Sequence, residues 1–282
     1  MALVAALGFG TLAVLGKLSV QAGLSPFTAL PWRFGLVALL LAFSGRGLTW
    51  PDRLRMLGVG LLYCVATHSY FLALTRISAG TTSLLLYLAP AFVVLYLWLL
   101  RRPPGRLQLL AVLLTVLGLG LVVGLPGQAD HSASGLAFAA LAGALYGGYL
   151  LLSERLLRPY SPLASTAHMA LCACVYFTVY DAFSGQLGVP RGLAQWGVVA
   201  GLTVFPTLVS VPLLYAAIAR IGAARASILA TTEPLWTVLL ALLLLHEPLH
   251  LSMIGGGALL LIGAVLAQRS ERSSVVAAPL EL

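Results

Sequence analysis

The sequence predicts an all-α membrane protein: ten transmembrane helices arranged as two inverted five-helix repeats. Three observations carry this expectation. Ten separate stretches are apolar and of membrane length, the two halves resemble one another at an offset of 144 residues, and positive charge sorts by loop. An odd number of spans per half forces the second half to insert upside down relative to the first. Secondary transporters are built this way and rock one half against the other.

Of the 282 residues, 60% are hydrophobic and 9% are charged, against about 25% charged in soluble domains. Polar surface is too scarce to wet a globule, so lipid must cover the outside. A span takes roughly 20 apolar residues. The stretches fall at 2–21, 28–44, 54–75, 80–100, 106–125, 135–153, 163–183, 194–216, 224–245 and 250–268. They are too long and too evenly apolar for barrel strands, so each is predicted as a helix. Pro26, Pro51, Pro103-Pro104, Pro126, Pro162 and Pro190 fall between them. The first stretch lacks a basic leader and a clear small-residue cleavage site and carries Lys17, so it is expected to be a retained span. The repeats are set at 1–127 and 133–269, with a disordered tail at 270–282.

With the N-terminus inside, 12 of the 16 basic residues lie on inner segments; the outer loops hold Arg76 and Arg191. That bias puts both termini in the cytoplasm. It also explains the net charge of +8 without nucleic acid as a partner. Cys64, Cys172 and Cys174 have neither metal nor disulfide spacing. No cofactor or metal is expected, and no nucleotide motif occurs.

The repeat is clearest between residues 73–107 and 217–251, with 13 identities in 35 positions. Leucine matches carry little weight in this composition. Arg76-Ile77 against Arg220-Ile221, Ser83 against Ser227, Pro90 against Pro234 and Pro104 against Pro248 carry more. The halves also open their second helices alike, at Ser25-Pro26 and Ser161-Pro162.

These residues give the chain a resemblance to the drug/metabolite transporter superfamily, of the EamA type. In that family each half ends with a proline inside its fourth helix, a short loop and a glycine-rich fifth helix. Here these are Glu233-Pro234, Glu247-Pro248 and Gly255-Gly256-Gly257 in the second half, and Pro90, Arg101–Arg106 and Gly118 with Gly120 in the first. Lys17 and Arg33 fit the same pattern. Ala89 and Pro103 depart from it, standing where the second half has Glu233 and Glu247. Within the superfamily the chain most resembles the bacterial amino-acid exporters of the YddG type. The resemblance implies inner-membrane export of aromatic and other neutral amino acids by alternating access. Other metabolites, drugs or lipid-linked cargo are the alternative, and an intramembrane enzyme is disfavoured. His246 and His250 have ligand spacing but flank Glu247-Pro248 and lack a third ligand.

A solute path needs polar or aromatic groups at membrane depth. Ser83, Tyr87, Pro90 and Val94 form one helical stripe, mated by Ser227, Thr231, Pro234 and Val238. The substrate-binding candidates are Ser83, Tyr87, Tyr63, His68, Tyr70, Tyr146, Tyr149, Thr231 and Trp236. Packing of the bundle is the plainer alternative for the aromatic groups, and hydrogen-bonded structure for His68. The coupling or gating candidates are Glu233, Pro90, Pro234, Lys17, Arg33 and Asp181. Intramembrane charge needs a reason. For Lys17, Arg33 and Asp181, near the outer helix ends, that reason is either snorkelling or a local ion pair, or else a gate or a counter-charge for a substrate carboxylate. The partners expected are a small-molecule substrate and the lipid bilayer, with the chain a monomer or weak dimer. Gly120/Gly124, Gly143/Gly147 and Gly197/Gly201 are small-residue steps suited to close helix packing.

Overall fold

A chain in lipid must satisfy its backbone polar groups within itself, and a helix does so segment by segment. The structure, a computed structural model, describes residues 1–99, 105–123, 132–157, 159–221, 229–230, 232–247 and 251–276. Among these the regular elements are all helical. In order they are α1 (Ala2–Gln21), α2 (Pro26–Leu40), α3 (Trp50–Leu74), α4 (Ala79–Leu86), α5 (Ala89–Leu99), α6 (Arg106–Val123), α7 (Ala133–Leu156), α8 (Pro162–Ser184), α9 (Gly192–Thr203), α10 (Ser210–Ile221), α11 (Glu233–Leu240) and α12 (Leu251–Val276). A π-helical stretch, Val204–Val209, joins α9 to α10, and another, Ala241–Leu245, extends α11.

Among the described residues, five runs are long and apolar enough to cross a membrane: Ala2–Gln21, Trp50–Leu74, Ala133–Ser153, Pro162–Ser184 and Gly192–Ala217. Shorter apolar helices cover Pro26–Leu40, Leu109–Gly118, Leu235–Leu245 and Ile254–Gly263. Large apolar side chains point outward, with Leu193 94% and Phe183 88% exposed. Only lipid covers such a surface at no cost.

Inside, α6 lies along α12, α2 along α8, and α3 along both α7 and α8. Helix α1 packs on α9, α10 and α11, while α7 packs on α4 and α5. The largest core cluster draws Val14, Leu30, Phe34, Phe71, Leu74 and Phe177 from α1, α2, α3 and α8. The α6–α12 seam is backbone against backbone. A Cβ on Gly118 would stand 2.7 Å from the Gly256 carbonyl oxygen, and one on Gly263 would stand 2.8 Å from that of Ala111. Of the small-residue steps read from the sequence, Gly143 and Gly201 are packed against neighbours, whereas Gly120 and Gly197 face open space. Gly124 lies outside the described residues.

Two features differ from expectation. The stretch 80–100 is not one helix: it breaks at Tyr87-Leu88, and α5 starts afresh with Pro90 as its second residue. Proline lacks an N–H and fits the first turn of a helix far better than its interior. Pro234 likewise sits in the first turn of α11. The last helix runs to Val276, past the expected span end at 268. Between Gly263 and Pro279 no glycine or proline interrupts it.

The glycine seam yields a prediction. Gly263→Val should overpack α6 against α12 and cost roughly 1–3 kcal/mol. Gly120→Val, facing open space, should leave stability nearly unchanged. Thermal unfolding of detergent-purified protein measures both.

Candidate functional site

The two proline breaks set the geometry of the site. With no N–H on Pro234, the carbonyl four residues earlier, that of Ala230, loses its helical donor. The Tyr87 hydroxyl, at the end of α4, donates to this oxygen at 2.8 Å and lies 3.2 Å from Glu233 Oε2. One side chain thus meets a freed carbonyl and a carboxyl group at once. Thr237 on α11 donates to the Gly10 carbonyl oxygen at 3.2 Å, and a Cβ on Gly10 would come within 2.7 Å of Trp236 Cβ. The backbone of α1 is therefore pressed against the start of α11. The Trp236 indole N–H is buried there without a hydrogen-bond partner. At the other break, Gly143 of α7 closes on the Leu85 and Leu86 carbonyls.

A cluster of tyrosines lies alongside. Tyr70 and Ser83 share a hydrogen bond of 3.0 Å between α3 and α4. Tyr149 and Tyr215 share one of 2.5 Å between α7 and α10. The Tyr149 ring is 5.3 Å from that of Tyr63 and 5.7 Å from that of Tyr146. Arg33 of α2 is fully buried. Its Nε donates to Thr207 Oγ1 at 2.7 Å, and its guanidinium carbon sits 4.6 Å from the centroid of the Phe34 ring. Phe34 meets Tyr63 edge-on at 6.0 Å. Tyr70 is within electrostatic reach of both Arg33 and Glu233. The cluster thus borders both a guanidinium cation and a carboxyl group.

The structure brings together Ser83, Tyr87, Tyr63, Tyr70, Tyr146, Tyr149, Glu233 and Arg33, with Trp236 beside the α11 break. It sets His68 apart. His68 stands among Phe27, Tyr176, Phe177 and Tyr180, with ring centroids 4.5 to 6.1 Å away. Asp181 is buried near the end of α8, and its Oδ1 has no hydrogen-bond partner. Lys17 lies on α1, one helical turn before its end. Thr231 and Ser227 lie outside the described residues. Arg33 departs from the plainer expectation: it is buried rather than snorkelling, and it makes no ion pair among the described residues.

Three contacts were not anticipated. The Glu247 carboxylate accepts from the Ala79 and Gly80 amides at 3.1 and 3.4 Å, capping α4 from a distant part of the chain. Such a cap suits the positive end of a helix. His246, in the left-handed conformation at φ 56°, turns the chain to deliver it. Ser25 donates to Gln186 Oε1 at 2.8 Å, placed by the left-handed Gly185 that ends α8. Tyr160 donates to Asp52 Oδ1 at 2.6 Å, joining the starts of α3 and α8. The Glu247-Pro248 pair was the one visible signal for these contacts; nothing in the sequence marked Tyr160.

Removing the Tyr87 hydroxyl should strand the Ala230 carbonyl and loosen Glu233. Tyr87→Phe is expected to cost about 1–3 kcal/mol, whereas Tyr96→Phe, whose hydroxyl bonds the Ala144 carbonyl inside the unbroken helix α7, should cost less. Denaturation of purified protein tests the difference.

The family profile described as EamA-like transporter matches residues 1–124 and 133–268. An uncharacterized transporter of Archaeoglobus fulgidus is 29% identical over 84% of this chain and 83% of its own length. The uncharacterized transporter YwfM of Bacillus subtilis is 26% identical over 92% and 91%. The uncharacterized inner membrane transporter YicL of Salmonella typhimurium is 28% identical over 74% and 71%. A protein of known crystal structure superposes with a TM-score of 0.67 over 96% of both chains at 21% identity, a likeness of fold. Together with the lipid-facing surface, these matches make the chain an integral membrane protein, and it belongs to the EamA-like transporter family.

Proposed function

We propose that the chain is a secondary transporter that exports small amphipathic metabolites, aromatic and other neutral amino acids foremost, as YddG-type exporters do. Its ten spans form two inverted halves, 1–127 and 133–269, in a bacterial inner membrane with both termini cytoplasmic. The family profile supports this division, since its two matched segments flank residue 127. Helix pairing supports it too. Exchange of the halves turns the α3–α7 contact into that of α1 with α9 and α10, and the α1–α11 contact into that of α7 with α4 and α5. The pairs α2–α8, α6–α12 and α4–α11 map onto themselves.

The observation that carries the substrate class is the tyrosine cluster bordering both Arg33 and Glu233. Its rings suit an apolar side chain, and its hydroxyls and opposite charges suit a zwitterionic head. Motion is read from contacts at the two ends. Glu247 on α4 and Gln186 on Ser25 close the outer end, and Tyr160 on Asp52 closes the inner end. Alternating access breaks one set at a time, with Pro90 and Pro234 as the flexing points and Glu233 as the candidate coupling group. No ATP is consumed.

A second reading, lipid-linked cargo, draws on an apolar groove between α3 and α8 lined by Leu57, Leu61, Leu171, Val175 and Val179. It predicts uptake of long-chain cargo alone.

A panel of radiolabelled solutes in proteoliposomes, with and without a pH gradient, tests the proposal. Neutral amino acids should exchange, and Tyr87→Ala, Thr231→Ala and Trp236→Ala should each lower flux per incorporated molecule about tenfold, the effect of roughly 1.4 kcal/mol. Flux unaltered in all three would remove these residues from the path. The end contacts make a separate prediction. Glu247→Ala should increase labelling of a Ser83→Cys variant from outside, and Tyr160→Phe from inside.

A further inference from the structure

Arg33 is wholly buried, yet its guanidinium is left incomplete. Nε is held by Thr207, while Nη1 is buried with no hydrogen-bond partner. The ion pair found among the described residues is Arg55 with Asp52, and no acid among them pairs with Arg33. Asp181 is also buried and short of a partner, but it is not paired with Arg33. A guanidinium kept only for packing would fill its donors, because an uncompensated buried charge is strongly destabilising.

The support behind Arg33 is also specific. Thr207 belongs to the π-helical stretch Val204–Val209, a widened turn of a kind frequent at functional sites. Its hydroxyl donates to the Leu202 carbonyl five residues back at 3.1 Å, which leaves the oxygen to accept from Nε. Both roles of that hydroxyl are then used, and the guanidinium is fixed in orientation. With Nε committed, the Nη edge is the part left for a further partner, and Tyr63 and Tyr70 are the phenols in its electrostatic surroundings.

We infer that Arg33, oriented by Thr207, is the docking point for the carboxylate of the transported solute. The inference rests on the transporter reading and names the chemistry of one end of its site. A planar guanidinium matches a carboxylate with two parallel hydrogen bonds. One cation balances one negative charge, so the ligand class is a monocarboxylate rather than a phosphate dianion. Full burial of Arg33 means that this site opens only when the halves separate, so the carboxylate replaces water as the guanidinium's partner.

The test compares acids with their amides: acetate with acetamide, isobutyrate with isobutyramide, and 3-phenylpropionate with 3-phenylpropanamide. Thermal stabilisation of the detergent-purified full chain is the readout. The acids should stabilise the wild-type protein, most strongly 3-phenylpropionate, and the amides should not. Arg33→Gln should weaken 3-phenylpropionate at least tenfold. Arg33→Lys, which keeps the charge and loses the fork, should fall between. Should Arg33→Gln not fold, the wild-type comparison and Thr207→Val, expected to weaken the acid several-fold, still decide. Equal effects of acid and amide, no effect of any acid, or full retention in Arg33→Gln would overturn the assignment. Stabilisation by acids without flux in proteoliposomes would keep the anion site and sink the carrier reading. Flux indifferent to the carboxyl group and to Arg33→Gln would do the reverse.

Discussion

The structure turns on a backbone hydrogen bond that Pro234 cannot make. In a lipid-embedded helix each unsatisfied peptide group costs several kcal/mol, so a released carbonyl must find another donor. For Ala230 that donor is the Tyr87 hydroxyl, brought from the break in another span. The exchange ties two broken helices together through a single side chain. It also brings Glu233 to the same hydroxyl, because Glu233 immediately precedes the proline. The break beside Pro90 is handled differently. There the backbone of α7 closes in at Gly143, where a side chain would crowd the Leu85 and Leu86 carbonyls. Polar backbone at membrane depth is tolerated where protein covers it or where it lines a cavity. Both breaks meet that condition.

The charges obey the same constraint with a different outcome. Moving a charge out of water costs several kcal/mol even after relaxation, and a partner removes much of that penalty. At the ends of the bundle two acids are well partnered: Glu247 takes two amides, and Asp52 takes Thr49, Tyr160 and Arg55. In the interior the pairing is incomplete. Arg33 holds one hydroxyl, and Asp181 leaves an oxygen unbonded. The contrast separates contacts that close the molecule from groups held ready for something else. It also argues against a purely structural role for Arg33, since a methionine of similar length would pack there without the penalty.

Much of the fold is legible in the sequence because lipid leaves so few options. An apolar run of membrane length has to be helical, and a proline inside it has to interrupt the ladder. Both expectations concern the backbone alone. Side-chain direction is harder. Ser83, Tyr87, Pro90 and Val94 were read as one stripe, which presumes a continuous helix. The break at Tyr87-Leu88 separates them: Ser83 turns to Tyr70, and Tyr87 reaches Ala230 and Glu233. These helices are apolar on nearly every face, so periodicity does not say which face meets which neighbour. The Tyr149–Tyr215 bond between α7 and α10 depends on that rotation and left no trace in the spacing. Arg33 was obscured for a related reason. Its place near a helix end suggests a head reaching for water, and only the neighbouring π-helical stretch shows that it points inward.

The departures from the repeat then gain a physical reading within the two-half proposal. Tyr87 corresponds to Thr231, Ala89 to Glu233 and Pro103 to Glu247. Near a two-fold axis a side chain and its mate compete for the same space. Two tyrosines, each reaching for the carbonyl freed in the other half, would meet at the axis, so one long arm requires a short counterpart. Two carboxylates facing each other there would repel, and one would be driven to hold its proton. A single acid opposite alanine avoids this and leaves Glu233 to respond to Tyr87 or to a solute. Inversion sets the framework, but the groups that touch one another across the axis have to be unequal to fit.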